Sequence, residues 1–258
     1  MMTDLDYTVK GPIAWITIDR EKQGNTISAE AISLFLDYLD RAEADPKIRA
    51  VCITARGSRI FCSGADLSGA MQAGPEEKAR LFAQYAGLLA RISRFSKPTL
   101  ARINGHCLAG GTGFMLACDI VIAREDVRFG TPEVNVGLFP MMIGALIFRN
   151  VLRKKAMEMI LLGEKLTAAQ ARDMGMVTRV CPEESFDQEV DSVLAALAAK
   201  SPIGLRLGKQ AFNAVEGLDL EPALARLAES LQAVAATRDA AEGISAFLEK
   251  RQPAFKGE

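Results

Sequence analysis

Ile103-Asn104-Gly105-His106-Cys107-Leu108-Ala109-Gly110-Gly111-Thr112-Gly113-Phe114 is the stretch around which the chain is organised. The residues before it, Thr99 to Ile103, are β-like, and Phe114 to Cys118 after it reads as helix. Glycines at a strand-to-helix passage let a ligand approach the backbone without meeting a Cβ. The first N–H groups of a helix lack internal partners and carry partial positive charge. Such a place suits an anion, either a bound phosphate or an oxyanion that forms only during a reaction.

Upstream, Ile13 to Ile18 predicts a strand and Ser28 an N-cap for a helix to about Ala44, whose Ile32, Phe35 and Leu39 recur at helical spacing. Ala50 to Thr54 is a second strand, followed by the basic loop Ala55-Arg56-Gly57-Ser58-Arg59 and by Phe61-Cys62-Ser63-Gly64-Ala65-Asp66-Leu67, a short strand that breaks at glycine. Pro75 opens a long amphipathic helix through about Phe95. Downstream, Asp119 to Ala123 is a strand and Phe129-Gly130-Thr131-Pro132-Glu133 a turn. Asn135 to Pro140 is irregular, and a helix from Met141 to Val151 is expected to continue, after a kink, through Lys154 to Leu162. Thr167 caps a short helix, and Val177 to Val180 is the last strand. From Phe186 on, every segment reads as helix. Strands alternating with helices over roughly the first 180 residues imply an α/β core. We divide the chain into a catalytic core, 1–200, and a helical C-terminal oligomerisation region, 201–258.

The totals narrow the function classes. A chain of 258 residues buries roughly 70–75% of its extended surface and needs no metal or disulfide to hold its core. A net charge of −1 argues against nucleic acid or a polybasic membrane surface as partner. The five cysteines are scattered without C-x-x-C spacing, and His106 is the single histidine, so neither a disulfide framework nor a metal site is expected. Met1 to Asp6 lacks an apolar leader pattern, and no apolar run approaches the ~18 residues of a membrane span, so a cytoplasmic protein is expected.

Three chemistries suit the glycine-rich stretch. A nucleotide site would need G-x-G-x-x-G or a P-loop, and neither is present. A serine hydrolase would use Ser63, His106 and Asp66 or Asp119, without the usual G-x-S-x-G elbow. The third is an oxyanion hole with one donor, the Ala65 N–H, from the earlier loop and another, the Gly110 N–H, from this one. It would hold an enolate while Glu133, on its proline-fixed turn, moves the proton.

These loops resemble those of the enoyl-CoA hydratase/isomerase (crotonase) family: Phe61 to Leu67 its first oxyanion loop, Asn104-Gly105 through Gly110-Gly111 its second, and Phe129 to Glu133 its catalytic turn. Glu242 to Arg251, with Pro253 and Phe255-Lys256, resembles its C-terminal signature. The resemblance implies a crotonase-like spiral of ββα units with a helical trimerisation region, trimers that pair into hexamers, and an acyl-CoA thioester as substrate, with coenzyme A part of the substrate and no other cofactor. It implies Glu133, Ala65 and Gly110 as catalytic positions. Arg20, Asn25, Ser63, Gly64, Asp66, Leu67, Gly111, Pro132, Met141, Phe247 and Lys250 are implied to border the substrate. The departure is at Gly113, where hydratases of the family place the first of two glutamates that hold a water. One remaining glutamate suits a 3,2-enoyl-CoA isomerase, which takes a proton from C2 and returns it at C4. Hydration through Glu133 alone and a non-catalytic CoA-binding protein are the other readings.

Overall fold

A computed structural model of the chain describes residues 3–66 and 74–258. β1 (Leu5–Lys10) and β2 (Ile13–Ile18) form an antiparallel hairpin, and α1 (Ala29–Ala44) follows. One pattern then recurs. β3 (Ala50–Ala55) and β4 (Ile60–Cys62) precede α2 (Pro75–Ser93); β5 (Thr99–Ile103) and β6 (His106–Leu108) precede α3 (Gly110–Leu116). β7 (Ile120–Arg124) and β8 (Arg128–Gly130) precede a 3-10 turn, Pro132–Val136, and α4 (Met141–Asn150).

The first strand of each of these pairs joins a six-stranded sheet, ordered β1-β2-β3-β5-β7-β10, and the second joins a four-stranded sheet, β4-β6-β8-β9. Each ββα unit thus adds one parallel strand to both sheets, and the chain advances as a spiral. β9 (Leu166–Thr167), antiparallel to β8, and β10 (Arg179–Cys181), parallel to β7, close the two sheets. α5 (Arg153–Leu162), α6 (Ala168–Asp173) and α7 (Glu183–Ala198) flank them, and α8 (Pro202–Val215), α9 (Leu220–Ala235) and α10 (Arg238–Leu248) form the C-terminal layer.

Side-chain alternation explains why the central strands are apolar throughout. In β3 every residue is buried. Val51 and Ile53 face a core shared with Phe35 and Leu39 of α1 and Leu88 and Ile92 of α2, whereas Ala50 and Cys52 face Phe186, Val190 and Leu194 of α7. A parallel strand covered on both faces has no polar side to show. The apolar spacing in α1 is therefore the inward stripe of an amphipathic helix, and Ser28 caps it by accepting from the Ala31 N–H at 3.0 Å.

Two expectations about helices and strands are corrected. The helix expected to run from Met141 through Leu162 is two helices, because Val151 and Leu152 both take extended backbone between them. β1 is a strand that the sequence does not announce, because Asp4, Asp6 and Lys10 leave it no apolar run. Only its Leu5 end is buried, so β1 is an edge strand with a largely solvated face. The cysteines are all free, and four of the five are buried. Among the described residues, no helix is long and apolar enough to cross a membrane.

Candidate active site

The two glycine loops meet. After β4 the chain turns at Gly64, whose φ of +100° suits glycine alone, and Ala65 makes an isolated parallel bridge with Ile27. That bridge is fixed by Ile27 N–H donating to the Gly64 carbonyl and Asp66 N–H donating to the Ile27 carbonyl, both at 2.9 Å. A Cβ on Gly64 would lie 2.8 Å from the Gly110 nitrogen, and one on Gly110 would lie 3.3 Å from the Ala65 nitrogen. Neither the Ala65 nor the Gly110 N–H has an acceptor among the described residues. Two free N–H groups on touching loops are the arrangement an oxyanion needs.

The Glu133 turn is tied to the same place. The Gly130 carbonyl accepts from the Ala109 N–H at 2.9 Å and from the Thr112 hydroxyl at 3.1 Å. The Glu133 turn is therefore pinned to the first turn of α3. Pro132 opens the 3-10 turn and Gly137, at φ +76°, ends it. Glu133 is half-buried, and its Oε2 is sealed from solvent with no hydrogen-bond partner among the described residues. Burial pushes its pKa up, against a smaller opposing effect of its own backbone N–H. A carboxyl with a raised pKa and one sealed, unpartnered oxygen, on a turn pinned to the Gly110 segment, is equipped to take and return a proton.

Gly113 lies one turn into α3 and is buried. A Cβ there would stand 2.3 Å from Cγ2 and 3.1 Å from Cβ of Ile143, and 3.4 Å from Cδ1 of Leu89. The space beside Gly113 is filled by a branched side chain of α4 and by one of α2. Gly111 is equally tight, since its Cβ would lie 2.3 Å from the Cys62 carbonyl oxygen. This seats α3 on the end of β4.

The remaining expected residues divide. Ser63 donates to the Gly24 carbonyl at 2.8 Å and so joins the Gly64 loop to the turn before α1. Arg20 is committed to Asp66 at 2.8 Å, Asp4 at 3.2 Å and the Thr26 carbonyl at 2.7 Å. Asn25 is fully buried with φ +52°; its amide donates to the Arg56 and Ile60 carbonyls, and its oxygen accepts from the Arg20 N–H. Arg20 and Asn25 thus brace the loops that carry Asp66 and the basic segment 56–60. Leu67 lies outside the described residues. Met141 opens α4 with 76% of its surface exposed. Phe247, 81% exposed, and Lys250, at φ +56° just past α10, belong to a layer in which α10 packs on α8 and α9. Within one chain, the structure brings Ala65 and Gly64 against Gly110 and Gly111, and ties the Pro132–Glu133 turn to that place through Gly130.

The serine-hydrolase arrangement does not form. The Ser63 hydroxyl is spent on Gly24, and His106 Nδ1 accepts from the Arg128 N–H at 3.1 Å. Asp119 accepts instead from the N–H and hydroxyl of Thr99 and pairs with Lys209. A groove of about 700 Å³ on the α7 side of the six-stranded sheet is a poor anion site, since Arg102 and Arg124 there are paired with Asp187, Asp126 and Glu183.

Two residues of the site escaped the sequence reading. Tyr85 and Leu89 sit on the buried face of α2 with Leu88 and Ile92, at the spacing of an ordinary apolar stripe. A hydroxyl on such a stripe is the one signal that set Tyr85 apart: it donates to the Gly110 carbonyl at 2.9 Å.

The enoyl-CoA hydratase/isomerase family model matches residues 8–258. The chain is similar to the 2,3-dehydroadipyl-CoA hydratase of Escherichia coli, with 34% identity over 99% of this chain and 100% of that protein. Its structure is similar to that of an enoyl-CoA hydratase from Bacillus anthracis, with a TM-score of 0.94 and 28% identity over 99% of this chain and 100% of that one. An enoyl-CoA hydratase from Mycobacterium smegmatis superposes with a TM-score of 0.94 at 32% identity, covering 98% and 99% of the two chains.

Proposed function

The chain belongs to the enoyl-CoA hydratase/isomerase family, which acts on acyl-CoA thioesters, and on that premise we propose that it is a single-carboxylate 3,2-enoyl-CoA isomerase. The observation that carries this reading is the packing at Gly113. A two-carboxylate water site needs a second acid there, and the space is occupied by Ile143 and Leu89.

In the proposed reaction the thioester carbonyl oxygen accepts from the Ala65 and Gly110 N–H groups. Glu133 removes a proton from C2 of a 3-enoyl thioester, the C2–H electron pair becomes the enolate, and its negative charge rests on the oxygen. The enolate then collapses, the double bond moves to C2–C3, and the proton carried by Glu133 is delivered to C4. Each N–H donor is expected to contribute roughly 2.7–4 kcal/mol to the transition state. The raised pKa of Glu133 suits a group that is base in the first half and acid in the second.

Hydration of a 2-enoyl-CoA through Glu133 alone is the second reading, favoured by the hydratase names of the relatives. Purified protein offered a 3-enoyl-CoA and a 2-enoyl-CoA separates the two. Isomerisation creates the absorbance of the conjugated thioester from the first substrate, and hydration removes it from the second. Tight CoA binding with no change in either cuvette would instead indicate a non-catalytic binder.

We also propose that residues 201–258 assemble the chain into a trimer or a pair of trimers. α8 and α9 contain no buried residue in the single chain. Leu220, Leu224 and Leu231 are all exposed along one face of α9. Phe247 and Lys250 would then meet substrate only across a subunit boundary.

A further inference from the structure

The direction of the Gly110 N–H is not secured by its own segment. Ala109, the N-cap, sits at φ +52° and ψ −133°, a conformation that L residues rarely hold, and it is followed by two glycines. The Gly130 carbonyl holds Ala109 and Thr112 on either side of Gly110 but makes no bond to Gly110 itself. The restraint on Gly110 comes from α2. The Tyr85 ring is 2% exposed, stands edge-on to Phe114 at 5.6 Å and 71°, and Phe114 in turn packs on Phe35 at 5.2 Å. Its hydroxyl donates to the Gly110 carbonyl at 2.9 Å. The point where a Gly110 Cβ would stand lies 2.6 Å from that hydroxyl, 3.0 Å from Gly64 Cα and 3.3 Å from the Ala65 nitrogen. The phenol, Gly110 and the first oxyanion loop thus converge on one point.

We propose that Tyr85 is a positioning residue of the oxyanion hole, holding Gly110 so that its N–H and that of Ala65 point at one oxygen. This rests on the acyl-thioester reading of the site. Burial keeps the phenol well above its ordinary pKa, with the neighbouring Cys62, Cys107 and Glu133 adding to the effect, so it remains a donor throughout the working pH range. A hydrogen bond in so enclosed a place resists exchange with water and holds its partner in one orientation.

The test is spectroscopic. A conjugated arylacryloyl-CoA thioester shifts to longer wavelength when an oxyanion hole polarises its carbonyl. With wild-type protein a red shift is expected, and Glu133→Gln should retain it while losing turnover. Tyr85→Phe, which keeps the ring and its edge contact, should show a smaller red shift. Its kcat should be lower by roughly 10- to 100-fold, below the loss for deleting a whole donor, with KM within about twofold. A Tyr85→Phe protein with the wild-type red shift and wild-type kcat overturns the proposal. Should that variant not fold, 3-fluorotyrosine incorporated at position 85 keeps the ring and makes the hydroxyl a stronger donor. A larger red shift then supports the proposal, and an unchanged or smaller one overturns it. Absence of any red shift with wild-type protein would instead refute the acyl-thioester reading itself, so the two failures are distinct.

Discussion

Gly64 and Gly110, far apart in sequence, approach so closely that a Cβ on the first would stand 2.8 Å from the amide nitrogen of the second. Gly64 also holds φ +100°. Gly64→Ala therefore strains its own backbone and displaces an N–H donor at once. We expect kcat to fall roughly 100- to 1,000-fold, the loss typical of one oxyanion donor. Unfolding should be easier by about 1–3 kcal/mol for the strained conformation. Steady-state assays and a urea titration of the same preparation check both.

Glu133→Gln removes the proposed base, and kcat/KM should drop by about 100- to 10,000-fold. The wild-type rate should rise with pH through the raised pKa of Glu133, and the variant should lack that limb. Stability should move the other way. The folded-state pKa lies above the unfolded one, so below the unfolded value both states are protonated and no ionisation penalty arises. As pH rises, the unfolded chain ionises first and folding loses ground. Glu133→Gln should therefore melt higher than wild type at neutral pH, with the difference closing in acid. Melting curves at several pH values show whether it does.

The filled space at Gly113 makes a prediction about gain of function. Gly113→Glu alone meets Ile143 at 2.3 Å from its first carbon and should destabilise by about 1–3 kcal/mol through overpacking. Combined with Ile143→Ala, which clears the space at its own cost of about 2–5 kcal/mol, it should acquire hydration of 2-enoyl-CoA. Equal hydration by wild type and double variant would undercut the single-carboxylate reading.

Asn25 is a test of support without chemistry. Its side chain makes three hydrogen bonds, to the Arg20 N–H and to the Arg56 and Ile60 carbonyls, from a fully buried position. Asn25→Ala strands those groups, and a loss of about 2–4 kcal/mol is expected. If the residue is a brace and not a ligand contact, Asn25→Asp should also destabilise, since an ionised carboxylate cannot donate to two carbonyls.

For assembly, Leu231→Glu places a charge on the exposed leucine face of α9. Wild-type protein should have the solution mass of a trimer or hexamer, and the variant should dissociate. Light scattering after gel filtration reads both.

How much of this was legible in the sequence depends on the reach of the interaction. Ser28 as a cap and the strands Ala50–Thr54 and Thr99–Ile103 follow from neighbours a few residues apart. β6 and β8 are too short to show a period, whereas β4, equally short, is marked by the glycine break that follows it. Ala65, Gly110 and Glu133 are candidates from the two glycine breaks and the proline-fixed turn, and the resemblance implies the same three; nothing local distinguishes a free backbone N–H from a bonded one. Tyr85 was hidden by its surroundings, as a tyrosine on an apolar helix face is ordinary core. Gly113 was noticed as a missing acid, but its contact with Ile143 spans thirty positions and becomes visible only when α3 and α4 are packed.

That contact also bears on descent. Replacing Gly113 by an acid while Ile143 remains is opposed by crowding, and shrinking Ile143 while Gly113 remains leaves a void. Either single step is a loss. The packing of these two residues couples them: room for a carboxylate at 113 opens only when 143 shrinks with it.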